Sequence, residues 1–564
     1  MKWNALPLAS KNLVENLSEV LEVSPVIAQL LAQRGVNSFD EAKTFFRPDW
    51  AQLHDPFLMQ DMTVAVNRII TAMEKNENVM VYGDYDVDGT TSVALVYSYL
   101  KNKIENLKPY IPDRYKEGYG ISISGINSAK QEGISLIIAL DCGIKANEQI
   151  AYANDLGIDF VICDHHLPSK ILPEAVAVLD PKRSDCTYPF KELCGCGIGF
   201  KLIQALQKRL ELPEEDLFSY LDLVATAIAA DIVPIIGENR ILAFLGIEQL
   251  NQNPRIGFEF FLKTIKKPLS VNDLVFVIAP RINAAGRMDH GLNAVQLLAA
   301  TDAAKALPIA RSIEFYNSER RATDERITQE ALQQIILNEQ KESFSTVVFH
   351  PSWHKGVIGI VASRLIETYY RPTVVLTESE GLLSGSVRSV RGFDVYKALE
   401  SCEEFMIQFG GHKYAAGLTL KPEQLDGFRE AIEVYVRENI LPEQRIPSLT
   451  YDMVLGFQEI NHKLLRILSQ MGPFGPKNMR PVFVTHNCKD LGGTRLVGKS
   501  QEHIKLEITD SSGIKIQGIA FGMGVHLITI KNQIPFSVLY TLEENQYNGI
   551  ISLQLKVKDL KFDK

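Results

Sequence analysis

Three clusters of acidic and imidazole side chains each follow directly on a short apolar run. Val79-Met80-Val81-Tyr82-Gly83 leads into Asp84, Asp86 and Asp88; Leu136–Leu140 leads into Asp141; Val161-Ile162-Cys163 leads into Asp164, His165 and His166. A fourth acid, Asp231, follows the apolar stretch 223–230. Carboxylates with one or two imidazoles make an oxygen-rich ligand set that suits Mn²⁺ or Mg²⁺ better than zinc. Several carboxylates at close range also call for a cation, because like charges raise one another's pKa. A single Asp after a strand is ordinarily a helix N-cap, and Asp88 before Gly89-Thr90 permits that plainer reading. Three such clusters on successive strands, one of them Asp-His-His, favour a metal centre.

The surrounding pattern supplies elements able to gather these clusters. From about residue 62, helices (64–76, 90–102, 145–157) alternate with short buried strands at VMVYG, LKPYI, SLIIAL, FVIC and VAVL. Continuous apolar strands alternating with helices predict a doubly wound parallel sheet. The carboxyl ends of such strands share one edge, where ligands bind, so the clusters should converge on one crevice. Residues 220–300 read as helical. Residues 301–342 then keep helical periodicity, interrupted only by Pro308, as a polar helix bridging two domains would. A second mixed α/β unit follows, with strands at STVVFH, PTVVLT and GLLSGSV. The last part carries five short alternating strands, PVFVTH, HIKLEITD, IKIQGIAF, PFSVLYTLEE and ISLQLKVKDL, which suggest an OB-fold barrel of the kind that binds single strands. Residues 1–48 read as short amphipathic helices without chemistry.

At 564 residues the chain is long enough for three or four domains. With 46% hydrophobic and 23% charged residues, it is not a disordered chain. No run approaches the roughly 20 apolar residues of a membrane span. The N-terminus also lacks a secretory signal pattern. Seven scattered cysteines without a CxxC pair point to thiols in a reducing compartment, hence a cytoplasmic protein, and not to a zinc knuckle or disulfide framework. The net charge of −9 is unevenly spread: residues 445–564 carry +5 and the remainder −14. An acidic body with a basic appendage fits a nucleic-acid enzyme whose carboxylates hold metals.

GDYDVDG (83–89), LDCG (140–143), CDHH (163–166) and AADIVP (229–234) resemble the four metal motifs of the DHH phosphoesterase superfamily. PSWHKGVIGIVASRL (351–365), SGSVRS (384–389) and GGHKYAAG (410–417) resemble its associated DHHA1-type domain. APRINAAGRM (279–288) and PDRYKEGYG (112–120), with the barrel, are similar to the branch of single-stranded-DNA-specific 5′→3′ exonucleases, over essentially the whole chain. The resemblance implies an α/β protein: an N-terminal helical segment (1–48), a doubly wound parallel-sheet DHH catalytic domain (49–300), a connecting long helix (301–344), a mixed α/β DHHA1-type substrate-binding domain (345–444) and an OB-fold β-barrel (445–564).

It further implies two Mn²⁺ or Mg²⁺ ions held by Asp86, Asp88, Asp141, His165 and Asp231, with Asp141 bridging them. Asp84 and Asp164 would orient those ligands, and His166 would stabilise charge on the scissile phosphate. The sequence departs from the pattern at Tyr82, where many relatives carry a histidine, which implies one protein ligand fewer. Arg114, Ser386 and Arg388 match positions that recognise a 5′-terminal phosphate, a task suited to the bidentate guanidinium. Gly411 and His412 would clamp substrate phosphate through backbone N–H groups, with a structural turn as the plain alternative. Arg281, Asn283 and Arg287 would either track the DNA backbone or brace the domain junction. His354 reads as a surface histidine, and Cys194-Gly-Cys196-Gly as a tight glycine-rich turn. The implied activity is release of 5′-mononucleotides in DNA repair, mismatch repair and recombination. The implied partners are single-stranded DNA, a single-strand-binding protein and a helicase, with no membrane. Competing readings are a phosphodiesterase for short oligonucleotides or cyclic dinucleotides, which the barrel disfavours, and a non-catalytic DNA-binding scaffold, which the complete ligand set disfavours.

Overall fold

A computed structural model describes residues 1–263, 265–547 and 550–562. Thr264 of the expected catalytic domain, and residues 548–549 and 563–564 of the expected barrel, lie outside the described residues.

The five strands expected between residues 79 and 179 form one all-parallel sheet. They are β1 (Val79–Gly83), β2 (Leu107–Tyr110), β3 (Leu136–Leu140), β4 (Asp159–Cys163) and β5 (Ala177–Leu179), in the order β2-β1-β3-β4-β5. Val81, Ile138 and Val161 enter one apolar core, while Met80, Ile137 and Ile162 enter another on the opposite face. Both faces are therefore covered by helices, which is why these strands are apolar throughout rather than alternating. In this strand order the direction of winding reverses between β1 and β3, and a crevice opens at their carboxyl ends.

The bridging helix runs from Ala303 to Leu337 and continues through Pro308. Ala306, Ala310 and Ile313 join the core of the parallel-sheet domain, whereas Ile327, Ala331 and Ile335 join that of the next unit. One rigid element thus has an end in each core. The second unit is a five-stranded sheet built on the three expected strands, Thr346–Phe349, Thr373–Ser379 and Leu382–Arg388, plus a hairpin, Met406–His412 and Ala415–Leu420, that the sequence did not announce.

The C-terminal barrel closes through five strands: Phe483–Asp490 pairs with both Phe536–Tyr547 and His503–Thr509, and Lys515–Ala520 and Ile550–Phe562 complete the ring. The N-terminal residues are not helical throughout. Lys2–Ala5 forms a strand parallel to Ser448–Tyr451, and Trp3 Nε1 donates to Asp559 at 2.8 Å. Val26, Ile27, Leu30 and Leu31 bury in the same core as Leu455, Phe483 and Leu506 of the barrel. A buried Arg34–Asp452 pair at 3.3 Å reinforces that joint. The apolar stripe of the helix Pro25–Gln33 packs on neighbours in sequence, Leu21, Val36 and Ala42, and also on barrel residues more than 400 positions away.

Candidate active site

Each acidic cluster is placed by a strand end or a helix start. Asp86 caps the helix Val87–Leu100, accepting from the Gly89 N–H, so the plain N-cap reading holds for this residue alongside any other role. Asp88, two residues on in the first turn, is buried and accepts the N–H groups of Gly195 (2.6 Å) and Cys196 (2.7 Å). The Cys194-Gly-Cys196-Gly string is therefore no turn. It opens the helix Gly195–Arg209, with the Cys194 thiol as its cap, and the positive end of that helix faces Asp88. Gly195 is required there, since a Cβ would stand 2.6 Å from that of Asp141. Asp141 follows β3 with φ at +60°, a left-handed conformation that non-glycine residues adopt at a cost and that aims its side chain into the crevice. Asp231 comes from the C-terminal end of the helix Leu221–Ala230.

His165 stands at the centre of these acids. Its Nε2 is 3.2 Å from Asp141 Oδ1, 3.6 Å from Asp231 Oδ2 and 3.9 Å from Asp88 Oδ2. Burial, with His166 alongside, pushes the His165 pKa down to about 3, so the imidazole is neutral and offers a lone pair. Burial and mutual repulsion push Asp88 up to about 7 and Asp231 up to about 8, and raise Asp141 well above the usual carboxylate range. Asp141 Oδ1 is buried with no hydrogen-bond donor. A crowded, dry carboxylate set around a neutral imidazole fits a divalent cation, and two overlapping groups of donors can hold one: Asp141, His165 and His166, and Asp88, His165 and Asp231.

The flanking groups are placed with equal economy. Asp164 accepts four hydrogen bonds: the N–H groups of Ile144, His165 and His166, and His166 Nδ1 at 2.7 Å. Burial alone would raise its pKa, but these donors outweigh it and hold Asp164 ionised. His166 is the reverse case: burial lowers its pKa, and Asp164 outweighs that and keeps it above the ordinary value. Asp84 is buried with Oδ2 unbonded, and burial together with Asp86 pushes it up to about 8. Tyr82 points away from the carboxylates into the opposite core. Its hydroxyl donates to the Gly120 carbonyl and accepts from the Ser122 N–H, and so ties down the loop that carries Arg114.

A cleft of about 620 Å³ adjoins this centre, between the two α/β units. Arg114, Arg287, Lys355 and Arg388 line it with Ser386, and no acidic side chain does so among the described residues. Alternation along Leu382–Arg388 puts Ser384, Ser386 and Arg388 on one face, toward the cleft. Arg114 lies over the Tyr85 ring at 4.7 Å, and Tyr119, also in the cleft wall, reaches His166 Nε2 at 3.2 Å.

Two expected phosphate contacts, Arg281 and the Gly411-His412 pair, are not among the residues lining the cleft, although the adjacent Gly410 is. Arg281 is bound to Glu314 of the long helix at 2.7 Å and to the Val277 carbonyl, so it braces the junction. Gly410-Gly411-His412 forms hairpin strand and not a turn. Gly411, at φ +145°, is needed because a Cβ would meet the Ala415 carbonyl, and His412 is exposed beyond the cleft lining. Sequence reasoning passed over Lys182, whose Nζ holds the His165 carbonyl at 2.7 Å, and Asp180, a buried acid at the end of β5 pushed up to about 7 by burial. Their signal was the polar string Asp180-Pro-Lys182 directly after the fifth strand, Ala177–Leu179.

Fold and site together define a metal-dependent DHH phosphoesterase with a DHHA1 partner domain and an OB barrel. Residues 78–228 match the DHH family N-terminal domain, 341–438 the DHHA1 domain and 451–559 the RecJ OB domain. The chain is 36% identical to the single-stranded-DNA-specific exonuclease RecJ of Bacillus subtilis, over 99% of this chain and 70% of that protein. It is 31% identical to the Escherichia coli exonuclease of the same name, over 96% of each. The crystal structure of Thermus thermophilus RecJ in complex with Mn²⁺ superposes with a TM-score of 0.86 at 26% identity, covering 100% of this chain and 80% of that one. A Mg²⁺ complex of the same protein gives 0.80 at 25% identity, covering 100% and 79%. The chain belongs to the RecJ family of single-stranded-DNA-specific exonucleases.

Proposed function

We propose that this chain removes mononucleotides from the 5′ end of single-stranded DNA, with Asp86, Asp88, Asp141, His165 and Asp231 holding two Mn²⁺ or Mg²⁺ ions. The observation that carries this reading is the neutral His165 imidazole ringed by three carboxylates, beside a cleft whose charged side chains are all cationic. The ions, when bound, stabilise the attacking and leaving oxygens of an in-line displacement. Asp88 is held for that task by two backbone N–H groups, and Asp141 by its own N–H, which donates to the Cys163 carbonyl at the end of β4. Asp164 holds a proton on His166 Nδ1 and raises the ring's pKa above the ordinary value, which favours the form whose Nε2 donates to a non-bridging phosphate oxygen. Arg114, Arg388 and Ser386 converge on the cleft from different domains and suit a terminal phosphate dianion. With the end phosphate held there, the first internal phosphodiester lies over the carboxylates, and a 5′-mononucleotide leaves.

A cleft between two domains admits one strand more readily than a duplex, and a basic OB barrel suits binding of the rest of the strand. Such an enzyme depends on single strands supplied by a helicase and held open by a single-strand-binding protein, and we include both as partners in repair and recombination. All seven cysteines are free and buried, which supports a reducing, cytoplasmic setting, and no helix among the described residues is long and apolar enough to cross a membrane. Digestion of a 5′-phosphorylated, 3′-labelled single strand with and without Mn²⁺ tests the proposal. Mononucleotide release only with the cation is the expected result; release from the 3′ end, or attack on duplex at equal rate, would refute it.

A further inference from the structure

The string Ala279-Pro-Arg-Ile-Asn-Ala-Ala-Gly-Arg-Met288 forms a helix whose C-terminal end lies between the two halves of the site. On one side it touches the loop bearing the carboxylates: a Cβ on Gly286 would stand 2.8 Å from the carbonyl oxygen of Tyr85, the residue between Asp84 and Asp86. On the other side Arg287 Nη1 donates to the Gly356 carbonyl of the second α/β unit at 2.8 Å. The Tyr115 hydroxyl donates to the Arg287 carbonyl at 2.5 Å and fills the space where a Gly356 side chain would go. Three residues further on, Gly359 lies against Ser386 and Arg388, with a Cβ position 2.9 Å from Ser386 Oγ and 3.1 Å from Arg388 Nη2. An unbroken series of close contacts therefore links the metal-side loop to the end-phosphate side: Tyr85 to Gly286, Arg287 to Gly356, and Gly359 to Ser386 and Arg388. Glycine at 286, 356 and 359 lets neighbouring backbones approach without an intervening side chain.

We infer that Gly286, Arg287 and Tyr115 form a spacer that fixes how far the end-phosphate pocket stands from the carboxylate centre, and hence that one nucleotide is removed per cleavage. The inference rests on the proposed 5′-end reading. Gly286 and Tyr115 act as positioning residues: neither is a metal-ligand candidate, and their effect on cleavage passes through Arg287 and the domains it joins. Tyr115→Phe removes one hydroxyl and keeps the ring, so the loop still packs while the hydroxyl's bond to the Arg287 carbonyl and its contact with Gly356 are lost; the Arg287 Nη1 bond to Gly356 remains. Gly286→Ala inserts a methyl group at the close approach to Tyr85 and pushes the helix end outward.

The test is the length of the released product, which a purely structural role would leave unchanged. Wild type, Tyr115→Phe and Gly286→Ala are incubated with a 5′-phosphorylated 3′-labelled single strand and Mn²⁺, and the first product is resolved by chromatography. Thermal stabilisation by Mn²⁺, measured alongside, reports whether each variant keeps its fold and its carboxylate centre. Dinucleotide should rise from below about one part in a hundred for wild type to at least tenfold more in the folded variants. Mononucleotide as the sole product of folded Tyr115→Phe overturns the spacer, whatever becomes of Gly286→Ala. If wild type itself does not release mononucleotides, the underlying 5′-end reading fails instead, so the two failures are distinguishable.

Discussion

Nε2 of His165 lies 3.2 Å from Oδ1 of Asp141, although one residue follows β4 and the other follows β3. That contact is the structural centre of the site, because β3 and β4 are neighbours in the sheet and their carboxyl ends share an edge.

Asp141→Ala should abolish cleavage in a folded protein. Its carboxylate reaches His165, and its backbone is anchored by the Asp141 N–H to the Cys163 carbonyl, a bond the substitution retains. Loss of an essential catalytic group typically costs several orders of magnitude in turnover. Single-turnover rates, with circular dichroism to confirm the fold, decide the matter; near-normal turnover would be incompatible with the proposed role.

The crowded carboxylates also predict how stability responds to pH. Asp88, Asp231 and Asp84, raised to about 7, 8 and 8, bind protons in the folded state that the unfolded chain, with pKa near 4, has already released. At these three carboxylates the folded state then holds more protons than the unfolded one, so their contribution to cation-free stability falls as pH rises from about 4 through about 8; His165, held down to about 3, contributes with the opposite sign below about 6.5, which leaves the fall dominant above that pH. Mn²⁺ relieves that repulsion. Thermal unfolding in chelator should show a midpoint lower at pH 8 than at pH 6, and the gain on adding Mn²⁺ should be larger at pH 8.

Gly195→Ala places a methyl carbon against Asp141 and disturbs the two N–H donors to Asp88. Overpacking of this kind costs about 1–3 kcal/mol. A lower unfolding midpoint should accompany a weakened response to Mn²⁺, as measured by titration calorimetry.

Arg388→Ala should reduce the preference for 5′-phosphorylated over 5′-hydroxyl strands. A charge-assisted contact to a phosphate is worth about 1.5–3 kcal/mol, or roughly ten- to a hundredfold. Single-turnover rates on the two strands give the ratio directly, and the response to Mn²⁺ should persist. An unchanged ratio would place end recognition elsewhere.

The barrel should contribute affinity and not chemistry. Removing it alone would strip cover from Val26, Ile27, Leu30 and Leu31, so residues 1–48 must be removed with it. The shortened protein should bind long single strands more weakly and with a shallower dependence on salt, because fewer phosphates are neutralised. Anisotropy titrations at several salt concentrations provide the slope.

Much of the site was legible in the chain alone, because strand and ligand are adjacent in sequence. An apolar run followed at once by Asp84-Tyr-Asp86-Val-Asp88, by Asp141 or by Asp164-His-His declares both the element and its cargo. Parallel strands then leave those residues on one edge whatever the details of packing. The bridging helix was legible for the same reason, since its periodicity is a local property.

What tertiary structure alone decided depends on contacts distant in sequence. Gly195 and Cys196 read as a turn, yet they are the donors that fix Asp88, 107 and 108 residues away. Arg281 and Arg287 share one short string and were indistinguishable as sequence. A difference of six positions on a helix turns one side chain to Glu314 and the other to Gly356. The hairpin around Gly411 was hidden because glycine carries no β-sheet signal, and only the approach of the Ala415–Ala416 backbone explains it. The N-terminal helices showed an apolar stripe but not its distant partner, which lies in a barrel at the other end of the chain. Local patterns determine which groups are available and which elements carry them; which group faces which is set by packing between elements whose separation no periodicity encodes.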